Sequence, residues 1–281
     1  MRPEIRIVTD EGRTGDLGVD VIGMPRVDLR MAPHTALHTT TAVALATGVT
    51  LAAEVLWAAF RRLPVGVELD ASGVLGAHLD GPPVRVVVLG DSTLTGPGLT
   101  SADHIWVRRA LSALDLGRPI ELASFAVGGS RVADVRRRLD EALAHDADAA
   151  VLSVGSNDAI HGTPARQFAA DYDEVLNDLL RRVPVAAVTN MGDLGNIARF
   201  PRPLREVVRR RGHNFCRLVE QVAARHERAV LLDVTPSNRY FRDRSLFGPD
   251  LFHPTSAGHS LWAETVGPSL MLAMSRLELA G

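Results

Sequence analysis

The sequence predicts an α/β domain in which a parallel sheet carries helices on both faces. From about residue 84 onward, short apolar runs alternate with longer segments whose apolar residues recur at helical spacing. The apolar runs are rich in Val and show no polar alternation, which is typical of parallel strands buried on both faces. Strands that alternate with helices imply repeated right-handed crossovers, and these produce a parallel sheet.

Five strands and five helices are predicted in this part of the chain. Each of the first four strands is followed by a turn that contains glycine, and the last helix begins after a proline-containing loop. The strands are predicted at residues 84–89, 120–127, 149–154, 185–189 and 229–234. The helices are predicted at residues 101–114, 132–144, 165–182, 204–225 and 256–277. Residues 84–281 are therefore expected to form one α/β domain.

The first 83 residues do not follow this alternation, and we expect them to form an N-terminal extension. Two weak strand-like pieces, at residues 5–9 and 19–22, indicate either a small hairpin or disorder. Residues 42–60 form an apolar stretch that is predicted to be helical. Residues 64–83 contain many glycines and prolines, which indicates a linker.

The apolar stretch at residues 42–60 has two interpretations. Its length is near the lower limit for crossing a bilayer, and Arg61 and Arg62 at one end suit a membrane anchor. Glu54 is costly in hydrocarbon, however, and Ala and Thr drive insertion weakly, which favours a helix packed on the α/β domain or on a partner. No signal peptide is evident at the N-terminus. We therefore expect either a cytoplasmic or a membrane-associated protein.

Composition and charge exclude several classes of function. A formal net charge of −2 gives no reason to expect a nucleic-acid partner. The sequence contains no lysine, which removes Schiff-base chemistry, a P-loop lysine and a lysine base. The single cysteine, Cys216, excludes an internal disulfide, and no His or carboxylate cluster has metal-ligand spacing. We expect no metal and no cofactor.

A candidate nucleophile follows the first predicted strand. Ser92 comes after Gly90-Asp91 at the carboxyl end of that strand, the edge at which open α/β sheets bind ligands. Near the C-terminus, Asp250-Leu251-Phe252-His253 supplies a base and an acid that can orient it. A serine hydroxyl needs a base to take its proton, and the base needs a partner that fixes its tautomer. Ser92, His253 and Asp250 therefore form a candidate triad.

Two further strand ends offer hydrogen-bond donors for an oxyanion. Gly128-Gly129-Ser130 follows the second strand, where a residue without Cβ lets a backbone N–H approach a substrate closely. Asn157 follows the third strand and carries an amide NH₂. A tight turn or an Asx-turn explains either motif alone. Successive strands that end in hydroxyl, glycine and amide at one sheet edge favour an acyl-transfer site.

This ordered set of motifs resembles the SGNH/GDSL hydrolase family, whose members carry Ser, Gly, Asn and His in four separate blocks. The matching blocks are Leu89-Gly90-Asp91-Ser92, Gly128-Gly129, Gly155-Ser156-Asn157-Asp158 and Asp250-Leu251-Phe252-His253-Pro254. The resemblance covers about residues 84–277. It implies a flavodoxin-like three-layer α/β/α sandwich with a five-stranded parallel sheet of order 2-1-3-4-5. It also implies serine ester hydrolysis without a cofactor.

The resemblance assigns a role to each candidate residue. Ser92 is the implied nucleophile, His253 the base, and Asp250 the group that orients His253. The implied oxyanion hole consists of the Ser92 N–H, the Gly129 N–H and the Asn157 side chain. Ser124 departs from the family pattern, which usually has Asn there. No Gly-x-Ser-x-Gly motif surrounds Ser92, which disfavours the α/β-hydrolase fold.

Three polar residues outside these blocks carry weaker expectations. His259, at the start of the last helix, is expected at the surface or in a capping role. His161 follows the third strand and is expected in a loop that faces water or, failing that, in the lining of the pocket. Asp193 follows the fourth strand and is expected to border the site at most.

Three functions remain open on the sequence alone. The favoured one is a serine esterase or lipase-like hydrolase that acts on a small-molecule or lipid acyl ester. The same residues would serve an acyltransferase or deacetylase that acts on a glycan or a lipid. A non-catalytic α/β domain that binds nucleotide or phosphate is disfavoured, because neither Gly-x-Gly-x-x-Gly nor a Walker A motif follows the first strand.

Overall fold

A computed structural model describes residues 46–55, 57 and 63–278 of the chain. The predicted pieces at residues 5–9 and 19–22, and both ends of the predicted helix at 42–60, lie outside the described residues. The chain divides into two units, residues 1–50 and 51–281. Of the first unit, residues 46–50 are described and are helical, and all elements named below belong to the second.

A six-stranded sheet forms the centre of the second unit. The strands are β1 (Gly73–Leu75), β2 (Val84–Gly90), β3 (Ile120–Ser124), β4 (Ala149–Ser153), β5 (Val185–Thr189) and β6 (Ala229–Leu232). Their order is β1-β3-β2-β4-β5-β6. Strands β2 to β6 are parallel to one another, and β1 is antiparallel to β3. The order of the five parallel strands is the expected 2-1-3-4-5, which confirms the predicted fold class.

The strand count was one too low, because β1 was not predicted. It lies within residues 64–83, where many glycines and prolines indicated a linker, and it pairs through Gly73↔Leu122. A strand of three residues is too short for a periodic signal. Ala71, just before it, is fully buried. The domain boundary at residue 83 stays a prediction, but residues upstream of it complete this sheet.

Seven helices follow β1 in the described part of the second unit. They are α1 (Ser92–Thr95), α2 (Trp106–Ser112), α3 (Val132–Leu143), α4 (Ser156–Ile160), α5 (Ala165–Arg182), α6 (Arg202–Ala223) and α7 (Ser256–Glu278). Short 3-10 turns occur at Ala102–His104, Leu194–Asn196, Thr235–Arg242 and Arg244–Leu246. Residues 51–55 are also helical. The predicted helix at 101–114 is interrupted, because Ile105 has an extended backbone between a 3-10 turn and α2.

Side-chain alternation along the strands divides the core into two layers. Val87 and Leu89 of β2 pack on one face of the sheet with α3, α5 and α6. Val86 and Val88 pack on the other face with α2 and α7. Both faces are covered, so the second unit is an α/β/α sandwich. Within the described ranges, no helix has both the length and the hydropathy needed to cross a bilayer.

The carboxyl end of β2 requires glycine. Gly90 has a φ of +157°, and a Cβ built on it would stand 2.0 Å from the Ser153 carbonyl oxygen. That oxygen also accepts the Asp91 N–H at 3.1 Å, so it belongs to the join between β2 and β4. The two backbones therefore meet at a distance that only glycine permits.

Gly90→Ala is expected to lower the free energy of unfolding by about 3 kcal/mol or more, because a neighbouring backbone and a positive φ both oppose the new methyl. Denaturant unfolding measures the change. Gly267→Ala is the control, because a Cβ there meets nothing within 4 Å in the interior of α7. That variant should change the free energy of unfolding by less than about 1 kcal/mol, because the helix propensity of alanine is opposed by Pro268, which disfavours helical backbone in a preceding residue with a Cβ. Equal stabilities of the two variants would contradict the argument.

Candidate active site

Ser92 lies at the carboxyl end of β2, where the chain turns into α1. Asp91 forms the N-cap of this helix, and its carboxylate accepts the Thr93 N–H at 3.0 Å. Burial raises the pKa of Asp91 to about 6. Ser92 is the first residue of α1, and the first N–H groups of a helix have no partner within that helix. Its backbone N–H therefore has no partner within α1, and its hydroxyl lies at the same edge of the sheet.

His253 and Asp250 lie on one loop before α7 and are joined by a short hydrogen bond. His253 Nδ1 is 2.5 Å from Asp250 Oδ2. Asp250 Oδ1 accepts the backbone N–H groups of Phe252 and His253, each at 3.0 Å. Leu251 between them has a left-handed backbone with a φ of +58°. This bend directs two consecutive N–H groups to one carboxylate oxygen.

The hydrogen bonds of Asp250 determine its charge. Burial acts to raise the pKa of this carboxyl, but the bonds from His253 and from the Phe252 and His253 N–H groups outweigh burial and leave the pKa below its usual value. The ionised Asp250 carboxylate accepts a hydrogen bond from Nδ1–H, so the tautomer of His253 with its proton on Nδ1 is stabilised. Nε2 then carries the lone pair that a general base needs.

A hydrogen bond connects the Asn157 side chain to Ser130, the residue that follows Gly129. The Asn157 side chain, on α4, donates one amide hydrogen to the Ser130 carbonyl oxygen at 3.1 Å. The second amide hydrogen remains available, because an asparagine NH₂ has two donors. Gly129 stands beside Ser130 with a φ of +74°. The Asn157 side chain and the Gly129 backbone therefore lie close together at this edge of the sheet.

Four of the five predicted site residues line one groove. This outer groove is defined by the following residues: Val55, Val65, Glu68, Ser92, Pro97, Gly129, Asn157, Ile160, His161, Arg199, Phe200, Leu204, Val208, Phe252 and His253. Asp250 does not line the outer groove, and it contacts His253 through Nδ1. A base, a hydroxyl and two donor groups that share one groove fit the needs of acyl transfer.

A second cavity, the inner pocket, opens from the same residues. Ser92, Asn157 and His253 also line it, together with large apolar side chains that include Trp106, Phe241 and Trp262. The aromatic lining was not predicted, because a helical tryptophan at apolar spacing has the same pattern as an ordinary core residue. These aromatic side chains suit an apolar part of a ligand, although Asp193 also lines the inner pocket.

The N-terminal extension contributes residues that the sequence did not indicate. Val55, Val65 and Glu68 belong to the outer groove although they precede β1. The Ser72 hydroxyl oxygen accepts the Ser124 N–H at 3.0 Å. Ser124, which stands where the family usually has Asn, is therefore bonded to the N-terminal extension. No local motif marks these residues, because their partners are distant in sequence.

His259 is buried, so its expected place at the surface is wrong. Its Nδ1 accepts the Trp106 N–H at 3.2 Å, and it therefore caps the start of α2 rather than its own helix. Burial, followed by the charge of Arg109, lowers its pKa to about 3, so the imidazole is neutral at physiological pH. The cap explains why the helix predicted at 101–114 restarts at Trp106.

His161 and Asp193 lie at the borders of the two cavities. His161 Nδ1 is 2.8 Å from the Asn157 carbonyl oxygen, and its side chain faces the outer groove. Asp193 lines the inner pocket, where its carboxylate accepts the Gly195 N–H and a bond from Arg209. Among residues 63–278 and the short helical stretch before them, no cluster of His, Cys, Asp or Glu has the arrangement of a metal site.

The chain is similar in sequence to known proteins. The model of the GDSL-like Lipase/Acylhydrolase family matches residues 88–261. The chain is 28% identical over 269 residues to the GDSL-like esterase Rv1075c of Mycobacterium tuberculosis, with 83% of this chain and 84% of that protein covered.

Solved structures share the fold. The crystal structure of TesA has a TM-score of 0.56 and 21% identity, and covers 66% of this chain and 97% of that chain. A catalytic mutant of Axe2, an acetylxylan esterase from Geobacillus stearothermophilus, has a TM-score of 0.53 and 18% identity, and covers 66% and 93%. The esterase EstA from Pseudoalteromonas sp. has a TM-score of 0.56 and 17% identity, and covers 68% and 99%.

Proposed function

This chain belongs to the GDSL-like lipase/acylhydrolase family and is a carboxylic ester hydrolase, and we propose that it cleaves acyl esters through an acyl-enzyme formed on Ser92. The observation that carries the proposal is the meeting of Ser92, Gly129, Asn157 and His253 in the outer groove. The 2.5 Å contact between His253 and Asp250 supports the assignment of the base.

The first half of the reaction transfers the acyl group to the enzyme. Ser92 Oγ attacks the ester carbonyl carbon while His253 Nε2 takes the hydroxyl proton. The carbonyl π electrons move to the oxygen, which becomes the oxyanion of a tetrahedral intermediate. When the intermediate collapses, the bond to the alcohol oxygen breaks, and that oxygen receives the proton from His253. Asp250 holds the imidazolium through Nδ1–H during this step.

The second half releases the acid. Water attacks the acyl-enzyme and gives a proton to His253 Nε2, and the second intermediate expels Ser92 Oγ, which recovers that proton. The Ser92 N–H, the Gly129 N–H and the Asn157 amide donate to the oxyanion in both halves. Donors that are fixed before reaction stabilise developing charge without reorganisation, which is typically the largest electrostatic contribution to catalysis.

Covalent labelling tests the proposal. A fluorophosphonate probe reacts with an activated serine, so we expect one phosphonyl group per chain and its position at Ser92 by peptide mass spectrometry. Prior heat denaturation should abolish labelling, because the activation depends on the folded site. A native protein that turns over 4-nitrophenyl butanoate but carries the label at another serine would overturn the assignment.

Product analysis separates hydrolysis from acyl transfer. The esterase relatives support water as the acceptor, so we expect free acid as the acyl product even with an added alcohol or sugar. Accumulation of a new ester on the added acceptor, at the expense of free acid, would instead favour an acyltransferase.

Asn157→Asp is expected to lower kcat for a neutral ester by about 10²- to 10³-fold, because a carboxylate of nearly the same shape cannot donate to an oxyanion. KM should change little, since the lost bond forms mainly in the transition state. Steady-state kinetics measure both constants. Asn177→Asp, an exposed site on α5, is the matched control and should keep the activity of the parent protein. Equal kcat values for the two variants would remove Asn157 from the oxyanion hole.

A further inference from the structure

A segment of the N-terminal extension is bonded along the edge of the proposed site. The Leu69 N–H donates to the Thr95 carbonyl oxygen at 2.8 Å, and the Gly98 N–H donates to the Val67 carbonyl oxygen at 3.3 Å. The segment then continues into β1. It lies upstream of residues 88–261, the part that matches the family. Glu68 stands between the two backbone bonds and faces the outer groove.

Glu68 contacts the loop that carries the proposed oxyanion donor. Its Oε2 accepts the Gly128 N–H at 3.0 Å. A Cβ built on Gly128 would stand 1.8 Å from Oε1 of the same carboxylate. The glutamate therefore packs directly against the Gly128 backbone, in space that any other residue at position 128 would fill.

The Gly128-Gly129 loop needs such a support. Gly129 has a φ of +74°, and a Cβ built on it would meet nothing within 4 Å, so surrounding atoms do not restrain this residue sterically. Consecutive glycines have the greatest backbone freedom, and ordering them costs the most conformational entropy. A hydrogen bond to a carboxylate is charge-assisted and is about twice as strong as a neutral one. It fixes the Val127–Gly128 peptide, one residue before the Gly129 N–H.

We propose that Glu68, through its bond to Gly128, is a positioning residue that holds the Gly129 N–H on the oxyanion and also sets the preferred charge of the substrate. The inference rests on the proposed function, because it assigns Gly129 to the oxyanion hole. The carboxylate itself would repel an oxyanion, so its benefit comes from geometry. An acceptor oxygen without charge should serve equally well for a neutral ester.

The charge of Glu68 acts on anything in the outer groove. Within residues 63–278, no arginine forms an ion pair with it, and Gly128 is its hydrogen-bond partner. Removal of the Glu68 charge should therefore favour anionic esters over neutral ones. This change in preference is a readout that a purely structural role would not produce.

The test compares Glu68→Ala with Glu68→Gln on two esters, neutral 4-nitrophenyl butanoate and the anionic monoester 4-nitrophenyl hemisuccinate. Glu68→Ala loses the acceptor, and its kcat for the neutral ester should fall about tenfold with KM within about twofold. Glu68→Gln keeps an acceptor oxygen and should retain kcat within about threefold. In both variants, the ratio of kcat/KM for the anionic ester to kcat/KM for the neutral ester should rise about three- to tenfold. The rise should be smaller in about 0.5 M NaCl, because salt screens the charge.

A double-mutant cycle tests the contact itself. Gly128→Ala would push the carboxylate away, so it should lower kcat about as much as Glu68→Ala does, and the double variant should be no worse than either. Additive losses would overturn the positioning role. Glu141→Gln, which removes an exposed carboxylate at the end of α3 that does not line the groove, should leave both the kcat and the ratio unchanged.

The outcomes also separate this inference from the proposed function. If the fluorophosphonate labels Ser92 and both Glu68 variants keep the kinetics of the parent protein on both esters, the inference on Glu68 is wrong and the proposed function stands. Equal kcat losses in Glu68→Ala and Glu68→Gln with an unchanged charge ratio would likewise overturn it. Labelling at another serine would overturn the proposed function, and with it the inference on Glu68 that rests on it.

Discussion

Replacement of Ser92 by Ala is expected to lower kcat for a neutral 4-nitrophenyl ester by at least about 10⁴-fold. The change removes the only atom that forms the acyl-enzyme in the proposed mechanism. The fold should remain intact, because alanine suits the first turn of α1 and no hydrogen bond of the described residues depends on Ser92 Oγ. Ester turnover, fluorophosphonate labelling and the thermal midpoint measure the three effects.

A serine outside both cavities provides the control. Ser112 ends α2 and is exposed, and Ser112→Ala should keep both the turnover and the label. Residual turnover of Ser92→Ala at the rate of the parent protein would refute the nucleophile. Lost turnover together with a collapsed thermal midpoint would show damage to the fold, and labelling of the parent protein would then decide the assignment.

Asp250→Asn is expected to lower kcat by about 10³- to 10⁴-fold, because it reverses the tautomer of His253. Two backbone N–H groups donate to Oδ1 of Asp250, so an asparagine must direct its carbonyl oxygen toward them. Its NH₂ then faces His253 Nδ1 and donates to it. The imidazole is left with its proton on Nε2, where it cannot accept the proton of Ser92.

The matched control is another aspartate that caps a turn. Asp243 accepts the Ser245 N–H at 2.9 Å, and asparagine caps equally well, so Asp243→Asn should leave kcat and stability almost unchanged. A kcat for Asp250→Asn within tenfold of the parent protein would show that Asp250 does not determine the tautomer. His253 would then need another orienting group.

The parallel strands were predictable because buried strands have a local signature, whereas their order was implied by the family resemblance. Apolar runs such as residues 149–154 and 185–189 end in turns that contain glycine, and the alternating helices permit only a parallel sheet. Short elements were missed for the same reason. β1, α1 and α4 have three to five residues each, which is too few for a periodic pattern.

The residue types of the candidate site also follow from the sequence. Ser92, Gly129 and Asn157 come at the ends of successive strands, and parallel strands end at the same edge of the sheet. The Asp-x-x-His spacing is short enough for one loop, so the contact between Asp250 and His253 was foreseeable. Proximity of these groups therefore required only the correct strand order.

The sequence alone determined the family, the five parallel strands and the candidate residues, because each depends on patterns among near neighbours or on motifs in a fixed order. Only the tertiary structure decided which distant side chains meet. Glu68 bonds to a glycine 60 residues away, and His259 caps a helix 153 residues away. Neither contact has a local pattern, because a hydrogen bond between distant segments depends on how the whole core packs and brings their backbones within reach.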